Sequence, residues 1–208
     1  MGITHQPAGH KTATTSWRVV DIVIAAVIAV SSGVIFWAWN SSHHLLDVLF
    51  LAFPPSAALV SGMWLFPAVL GALIIRKPGA ALFCEVVAAM VSALMGSEFG
   101  LTVLASGLIQ GLGAEVVFAA FRYRTFNLPV ALLAGAGAGL FGSVNDTFIF
   151  RWFPEYTTGM LLAYIGFMTI SGIIIAGLLS FLGTRALAKT GALGALASRK
   201  AATEPILG

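Results

Sequence analysis

Charged residues are scarce in this sequence, and their scarcity excludes whole classes of protein. Asp, Glu, Lys and Arg make up 9% of the 208 residues, whereas 59% are hydrophobic and the mean hydropathy is +0.96. Soluble domains carry charge on about a quarter of their residues, so this composition indicates an integral membrane protein. The 11 Lys and Arg residues occur singly or in pairs rather than along one face, which argues against a nucleic-acid partner.

Cysteines and catalytic signatures are also nearly absent. The single cysteine, Cys84, lies within an apolar run, so the chain has no disulfide framework, and we interpret Cys84 as an inert buried thiol. The sequence contains no GxxxxGK[ST] phosphate loop and no HExxH zinc motif, and its four histidines lie outside the apolar runs. We therefore predict no enzyme, no catalytic residues, no metal and no cofactor. A carboxylate-pair protease would need flanking aspartate motifs that the sequence lacks.

One apparent motif is misleading. Gly137, Gly139 and Gly142 match GxGxxG, but they lie inside one long apolar run, whereas a dinucleotide site needs a strand before the glycines. Small residues let membrane helices approach closely. We interpret Gly135 and Gly139 as helix-packing residues.

Long apolar runs dominate what is present. Six of them approach the roughly 20 residues that cross a bilayer as a helix. The sequence predicts an all-α integral membrane protein, a single-domain bundle of six transmembrane helices at 19–39, 57–75, 79–95, 101–121, 128–150 and 159–182. The first run is longer than a signal-peptide core and lacks a small-x-small cleavage site, so we expect it to be retained. The apolar piece 45–53 is too short to span and is expected at the interface or as a lid.

Basic residues predict the orientation. With the N-terminus inside, ten of the eleven Lys and Arg residues lie on the cytoplasmic side, and only Arg151 lies outside. The segments 1–18 and 183–208 are therefore predicted to be cytoplasmic tails of a multi-pass membrane protein.

Polar side chains within the apolar runs are the candidate functional residues, because an intramembrane charge is costly without a partner or a polar cavity. Glu85 and Glu115 are both six residues from the cytoplasmic side of their spans, about 9 Å deep. A cavity with carboxylates, an amide and an indole suits a small organic cation. The candidate set is Trp64, Glu85, Gln110, Glu115, Asn145 and Asp146. The alternative is that Gln110 and one glutamate only cross-link helices.

Two further groups allow alternative interpretations. Ala25 and Ala29 have the small-xxx-small spacing that lets a partner helix dock closely, although alanine is common in membrane helices. His43, His44 and Asp47 could ligate a metal, but adjacent histidines point in different directions on regular structure. We therefore favour a solvated loop for these three residues.

Two segments carry a family resemblance. IIRKPGAALFCEVVAA at 74–89 and GLIQGLGAEVVF at 107–118 resemble the signatures of YkoE-type substrate-binding (S) components of energy-coupling factor (ECF) transporters. The likeness covers roughly 64–150 and extends more weakly over all six spans. The resemblance implies a six-helix protein of the bacterial cytoplasmic (inner) membrane that captures thiamine or its hydroxymethylpyrimidine precursor from outside. It also implies a transmembrane coupling subunit and ABC-type ATPases as partners.

By the same resemblance, Trp64, Glu85, Gln110, Glu115 and Asp146 occupy polar or aromatic positions of the family, and Ala25 and Ala29 occupy its subunit-docking face. S components hold the vitamin toward the outer side, whereas the two glutamates lie in the inner third. Either the pocket is deep, or the glutamates brace the bundle while Trp64, Gln110, Asn145 and Asp146 bind. Two rival functions remain: a proton-coupled carrier that uses the glutamates as its relay, and a scaffold subunit that binds no ligand.

Overall fold

A computed structural model describes residues 16–207, and this part of the chain is helical without any strand. Five helical stretches are long and apolar enough to cross a membrane: Val19–Phe50, Pro54–Ile75, Thr102–Ala120, Leu128–Ile149 and Thr158–Lys189. Ala80–Leu94 is a sixth, shorter apolar helix. The structure therefore confirms the predicted all-α membrane fold.

The first helix, α1 (Val19–Ser42), continues into a 3₁₀ turn, His43–Leu46, and a short helix, α2 (Asp47–Phe50). Its N-terminus is stabilised by Asp21, whose carboxylate pairs with the Arg18 guanidinium at 2.7 Å and accepts the Arg18 backbone N–H at 2.9 Å. The solvated loop predicted for His43, His44 and Asp47 is therefore wrong, because these residues continue the first helix as far as Phe50. Most apolar side chains of the piece 45–53 are exposed.

The second predicted span, 57–75, is not one α-helix. Residues Pro54–Trp64 form a 3₁₀ helix, and α3 (Phe66–Ile75) begins after a break at Leu65. Pro67 lies in the first turn of α3, where its missing N–H costs no helical hydrogen bond. The Gly62 N–H donates to the Ser171 hydroxyl at 2.8 Å, a tertiary partner outside the segment. A 3₁₀ helix of this length is unusual and often marks a functional hinge.

The remaining helices are α4 (Ala80–Leu94), α5 (Thr102–Ala120), α6 (Leu128–Val144), α7 (Thr158–Ser171) and α8 (Ser180–Lys189). Helix α6 packs against α5 and α7. Two π-helical segments occur, Asn145–Ile149 after α6 and Gly172–Leu179 between α7 and α8. The last stretch runs to Lys189, beyond the predicted boundary at 182, because the π segment continues directly into α8.

The glycines of α6 pack helices together, as the sequence predicted. A Cβ on Gly135 would overlap the carbonyl oxygen of Gly172, and one on Gly139 would lie 2.6 Å from the carbonyl oxygen of Met168. On the opposite face, Gly137 meets the backbone of Gly113 on α5. The GxGxxG match is therefore a packing feature.

Residues 16–18, 76–79, 121–127 and 183–207 lie together at one end of the bundle, which we call the tail end. The C-terminal segment is folded back here rather than frayed. Arg76 forms a bidentate pair with Glu204 at 2.7 and 2.6 Å, and the Ser198 hydroxyl donates to the Ile74 carbonyl at 2.6 Å. The opposite end, formed by residues 40–53, 95–101 and 145–157, is the cavity end.

Ala25 and Ala29 lie inside the bundle. Both have no exposed surface, and they pack in one apolar cluster with Cys84, Ile74 and Ile75. Because the chain itself covers these two alanines, they do not form an exposed face for a partner subunit, contrary to the docking role suggested by their spacing. Cys84 is a free, buried thiol, as predicted.

Candidate ligand-binding cavity

A cavity of about 500 Å³ opens at the cavity end of the bundle. Its walls come from α1, the 43–50 segment, the 3₁₀ helix, α5, α7 and the loops 95–101 and 150–157. The volume is typical of sites for small organic ligands. Of the six predicted site residues, Trp64, Gln110 and Asp146 line this cavity.

Trp64 is held in place by a chain of polar side chains. Its indole Nε1 donates to Asn40 Oδ1 at 2.6 Å. The Asn40 amide in turn donates to Ser97 Oγ at 2.8 Å and to Ser92 Oγ at 3.3 Å. These bonds join the 3₁₀ helix, α1 and the α4–α5 hairpin. The indole is thus fixed before any ligand arrives, which reduces the conformational entropy lost on binding.

An aromatic wall surrounds Trp64 at the cavity mouth. The ring centroid of His43 lies 5.0 Å from that of Trp64, and that of Phe99 lies 6.3 Å away, both edge to face. Phe99 continues the wall to Trp152 at 6.1 Å. Such rings provide stacking surfaces and attract cations through their π faces.

Asp146 is the acid that faces the cavity from the π-helical segment after α6. The π-helical segment begins at Asn145, and this local widening of the helix is a feature common at functional sites. Asp146 Oδ2 accepts from the Tyr164 hydroxyl at 2.9 Å, and Oδ1 accepts from the Asn145 amide at 3.1 Å. A carboxylate has about four acceptor positions, so capacity remains for a ligand.

Asn145 and Gln110 occupy different positions around this acid. Asn145 is completely buried behind Asp146, where its amide also donates to Ser106 Oγ at 3.2 Å. Its Oδ1 has no partner within residues 16–207. Gln110 lines the cavity itself, and its side-chain amide makes no hydrogen bond within the described part of the chain. Gln110 can therefore offer both a donor and an acceptor to a ligand.

The charges around the cavity are of one sign. Asp47, Glu98 and Asp146 line it, and none of the described residues in its wall is a lysine or arginine. Carboxylates with low-dielectric walls attract cations and repel anions. The cavity is therefore suited to a cationic or neutral ligand with an aromatic ring.

Glu85 does not line the cavity. It is completely buried between helices, and its Oε2 accepts the backbone N–H of Ala68 on α3 at 2.9 Å. Its Oε1 has no hydrogen-bond partner among residues 16–207. The Ala68 N–H lies in the first turn of α3, where backbone donors lack helical partners. Glu85 thus joins α4 to the start of α3 just below the break at Leu65.

Glu115 also lies away from the cavity wall. Its carboxylate accepts the backbone N–H groups of Gly79 at 2.6 Å, Ala81 at 3.0 Å and Leu82 at 3.2 Å, at the N-terminus of α4. The Tyr123 hydroxyl donates to the same carboxylate at 2.8 Å. Burial and this hydrogen bond raise the pKa of Tyr123, so the phenol stays a neutral donor. Glu115 is a side-chain cap supplied by a neighbouring helix.

Sequence reasoning missed several residues that shape the cavity. Asn40 orients Trp64, Tyr164 orients Asp146, and Phe99 and Trp152 extend the aromatic wall. Tyr164 carried a usable signal, because a phenol within an apolar run needs a hydrogen-bond partner as a carboxylate does. The aromatic residues of the loops carried no such signal in the sequence, since aromatic residues are common at membrane interfaces.

A helical membrane bundle with a ligand-sized, preorganised cavity at one end defines a class of protein, the small-molecule-binding membrane transport proteins. Comparison with known proteins supports the assignment of the chain to this class. A protein-family model described as "ABC-type cobalt transport system, permease component" matches residues 20–141. A Bacillus subtilis (strain 168) protein named, provisionally, HMP/thiamine permease protein YkoE is 38% identical over 187 residues, which is 89% of this chain and 92% of that protein.

A solved structure agrees as well. The crystal structure of an S-component of an ECF transporter superimposes with a TM-score of 0.82 at 38% identity, over 89% of this chain and 92% of that one. The chain belongs to the YkoE-type S components of ECF transporters.

Proposed function

We propose that this chain captures thiamine or its hydroxymethylpyrimidine precursor from outside the cell for import driven by ATP hydrolysis in partner subunits. The observation that carries the proposal is the cavity itself, in which Asp146 and the fixed indole of Trp64 face a space without lysine or arginine in its described wall. Thiamine joins an aminopyrimidine to a thiazolium cation. Asp146 and Gln110 suit the amino group and ring nitrogens, and the aromatic wall suits the cation.

Orientation and partners complete the proposal. The tail end carries nearly all the lysines and arginines, so the positive-inside rule supports a tail end on the cytoplasmic side of a bacterial inner membrane and a cavity that opens outward. The named relatives, an HMP/thiamine permease and an ECF S-component, support a coupling subunit and ABC-type ATPases as partners. The absence of a phosphate-loop motif from this sequence agrees with ATP hydrolysis in a partner.

The contacts of the two glutamates favour capture over proton-coupled transport. A carrier relay would need carboxylates along the ligand path. Glu85 and Glu115 instead accept backbone N–H groups of neighbouring helices and do not line the described cavity. We assign ligand binding to Trp64, Gln110 and Asp146, with Asn145 supporting Asp146 from behind.

The test is calorimetric titration of the detergent-purified protein with thiamine and, separately, with hydroxymethylpyrimidine. We expect one-to-one binding of at least one ligand. Asp146→Asn should weaken binding of both ligands at least tenfold, or about 1.4 kcal/mol, because both carry the aminopyrimidine that Asp146 is proposed to bind. Glu155→Gln removes a carboxylate from the same end outside the cavity wall and serves as the matched control. Well-folded protein that binds neither ligand would overturn the proposal.

A further inference from the structure

Three metal-ligating side chains converge at the cavity mouth. His43, His44 and Glu98 each offer a ligand atom, and these atoms lie within 4.8 Å of one another. The two histidines lie on the 3₁₀ turn His43–Leu46, and Glu98 lies on the turn between α4 and α5. The fold thus brings together residues that are 54 positions apart in the sequence.

The 3₁₀ turn removes the objection that adjacent histidines diverge. The ring centroids of His43 and His44 are 4.0 Å apart, and their planes are tilted by 36°. Both rings face the same carboxylate: His44 Nε2 lies 3.0 Å from Glu98 Oε2, and His43 Nδ1 lies 3.8 Å from Glu98 Oε1. The side chains of His44 and Glu98 are 57% and 40% exposed, so an ion can reach them from solvent.

The surroundings of the His44 imidazole resemble those of a metal-bound histidine. Such histidines donate one ring N–H to a carbonyl or carboxylate, which fixes the tautomer and leaves the other nitrogen for the metal. His44 Nδ1 lies 3.2 Å from Asp47 Oδ2, and Nε2 is the nitrogen beside Glu98. His43 presents the same nitrogen, Nδ1, to the Asn40 carbonyl oxygen at 3.0 Å and to Glu98 Oε1 at 3.8 Å.

We propose that His43, His44 and Glu98 bind a divalent transition-metal ion of the Zn²⁺ type, with Asp47 as a positioning residue for His44. Two imidazoles and one carboxylate are a common zinc donor set, and three protein ligands leave a fourth position open. The bound ion links the 43–46 turn to the α4–α5 turn across the cavity mouth. The proposal rests on the geometry of these donors and not on the vitamin proposed above, although His43, His44 and Glu98 also line the mouth of the same cavity.

The test is calorimetric titration with ZnCl₂ on tag-free protein carrying His5→Ala and His10→Ala, which removes the two tail histidines as competing ligands. We expect one Zn²⁺ per chain. His44→Gln and Glu98→Gln should each weaken binding at least tenfold, while Glu155→Gln should leave it unchanged. The melting temperature measured in EDTA should be the same for all three variants, because the side chains of His44, Glu98 and Glu155 are exposed and are not part of the core.

A second readout reports coordination rather than stability. Co²⁺ added in place of Zn²⁺ should give visible absorption bands that are lost in His44→Gln and Glu98→Gln. No binding at millimolar Zn²⁺, or equal affinity in these two variants and the parent, would overturn the site and leave the cluster held by its own hydrogen bonds. Since the titration contains no vitamin, its failure would leave the thiamine proposal unaffected.

Discussion

The two halves of the bundle use intramembrane carboxylates in different ways. Toward the tail end, Glu85 and Glu115 accept backbone N–H groups at helix starts, and Glu115 makes three such bonds and a fourth to Tyr123. Toward the cavity end, Asp146 has two side-chain donors and faces open space. The same chemical group is a helix cap in one half and lines a cavity, as a proposed ligand contact, in the other.

This difference shows that an acid in a membrane span is not by itself a binding residue. The energetic argument requires only that the charge be compensated, and the first turn of a helix can compensate it with free N–H groups and its positive dipole end. The useful question is how many acceptor positions the protein itself fills. For Glu115 the described contacts fill nearly all of them, and for Asp146 they fill about half.

The largest effect that separates the two halves is expected for Glu115→Ala. The substitution leaves three N–H groups at the start of α4 and the Tyr123 hydroxyl without their acceptor, at a cost of about 3 kcal/mol in unfolding free energy. In a protein of this size we expect the melting temperature to fall by roughly 6–12 °C. Thermal unfolding followed by tryptophan fluorescence measures the change.

The control for this prediction is Glu115→Gln, which keeps one acceptor oxygen and should lose less stability. Ligand affinity of the folded fraction should be unchanged in both variants. An unaltered melting temperature in Glu115→Ala, or weaker binding without destabilisation, would contradict the capping role.

A smaller effect, at the cavity end, is expected for Trp64→Ala. The loss of the indole should weaken binding of both thiamine and hydroxymethylpyrimidine about tenfold, or about 1.4 kcal/mol, since either ring can stack on it. Stability should change little, because Asn40 keeps its bonds to Ser97 and Ser92. Trp37→Ala is the matched control, as Trp37 lies on the exposed face of α1. Calorimetric affinity that is equal in Trp64→Ala and Trp37→Ala would exclude Trp64 from the site.

Much of the fold was predictable because hydropathy and chain length report it directly. The six apolar runs and the packing glycines of α6 follow from the solvent imposed by the bilayer. The break at Leu65 could not be predicted in this way, since 57–75 is apolar throughout and Pro67 is also compatible with the start of a helix. The extension of the last helix to Lys189 was hidden because Arg185 and Lys189 interrupt the apolar pattern before the helix ends.

The site was only partly predictable, because depth along a helix does not give direction around it. Glu85 and Asp146 both lie within apolar runs, yet only Asp146 faces the cavity. The spacing of Ala25 and Ala29 predicted a tight contact, and that contact exists, but it is with the chain's own α4 region near Cys84. Sequence patterns therefore located the polar and small residues without identifying their partners.

The smallest effect is expected where the C-terminal segment closes the tail end. Glu204→Gln keeps one acceptor for Arg76 but removes the charge from a bidentate pair whose Glu204 side chain is 35% exposed. We expect a loss below about 1 kcal/mol, because solvent screens such a pair. Arg185 also holds the segment through the carbonyls of Ala201 and Ala202.

Because the lost interaction is ionic, the difference in melting temperature between Glu204→Gln and the parent should shrink at 1 M salt. A difference that persists at high salt would show that packing rather than charge fixes the segment, and altered ligand affinity would show that the two ends are coupled.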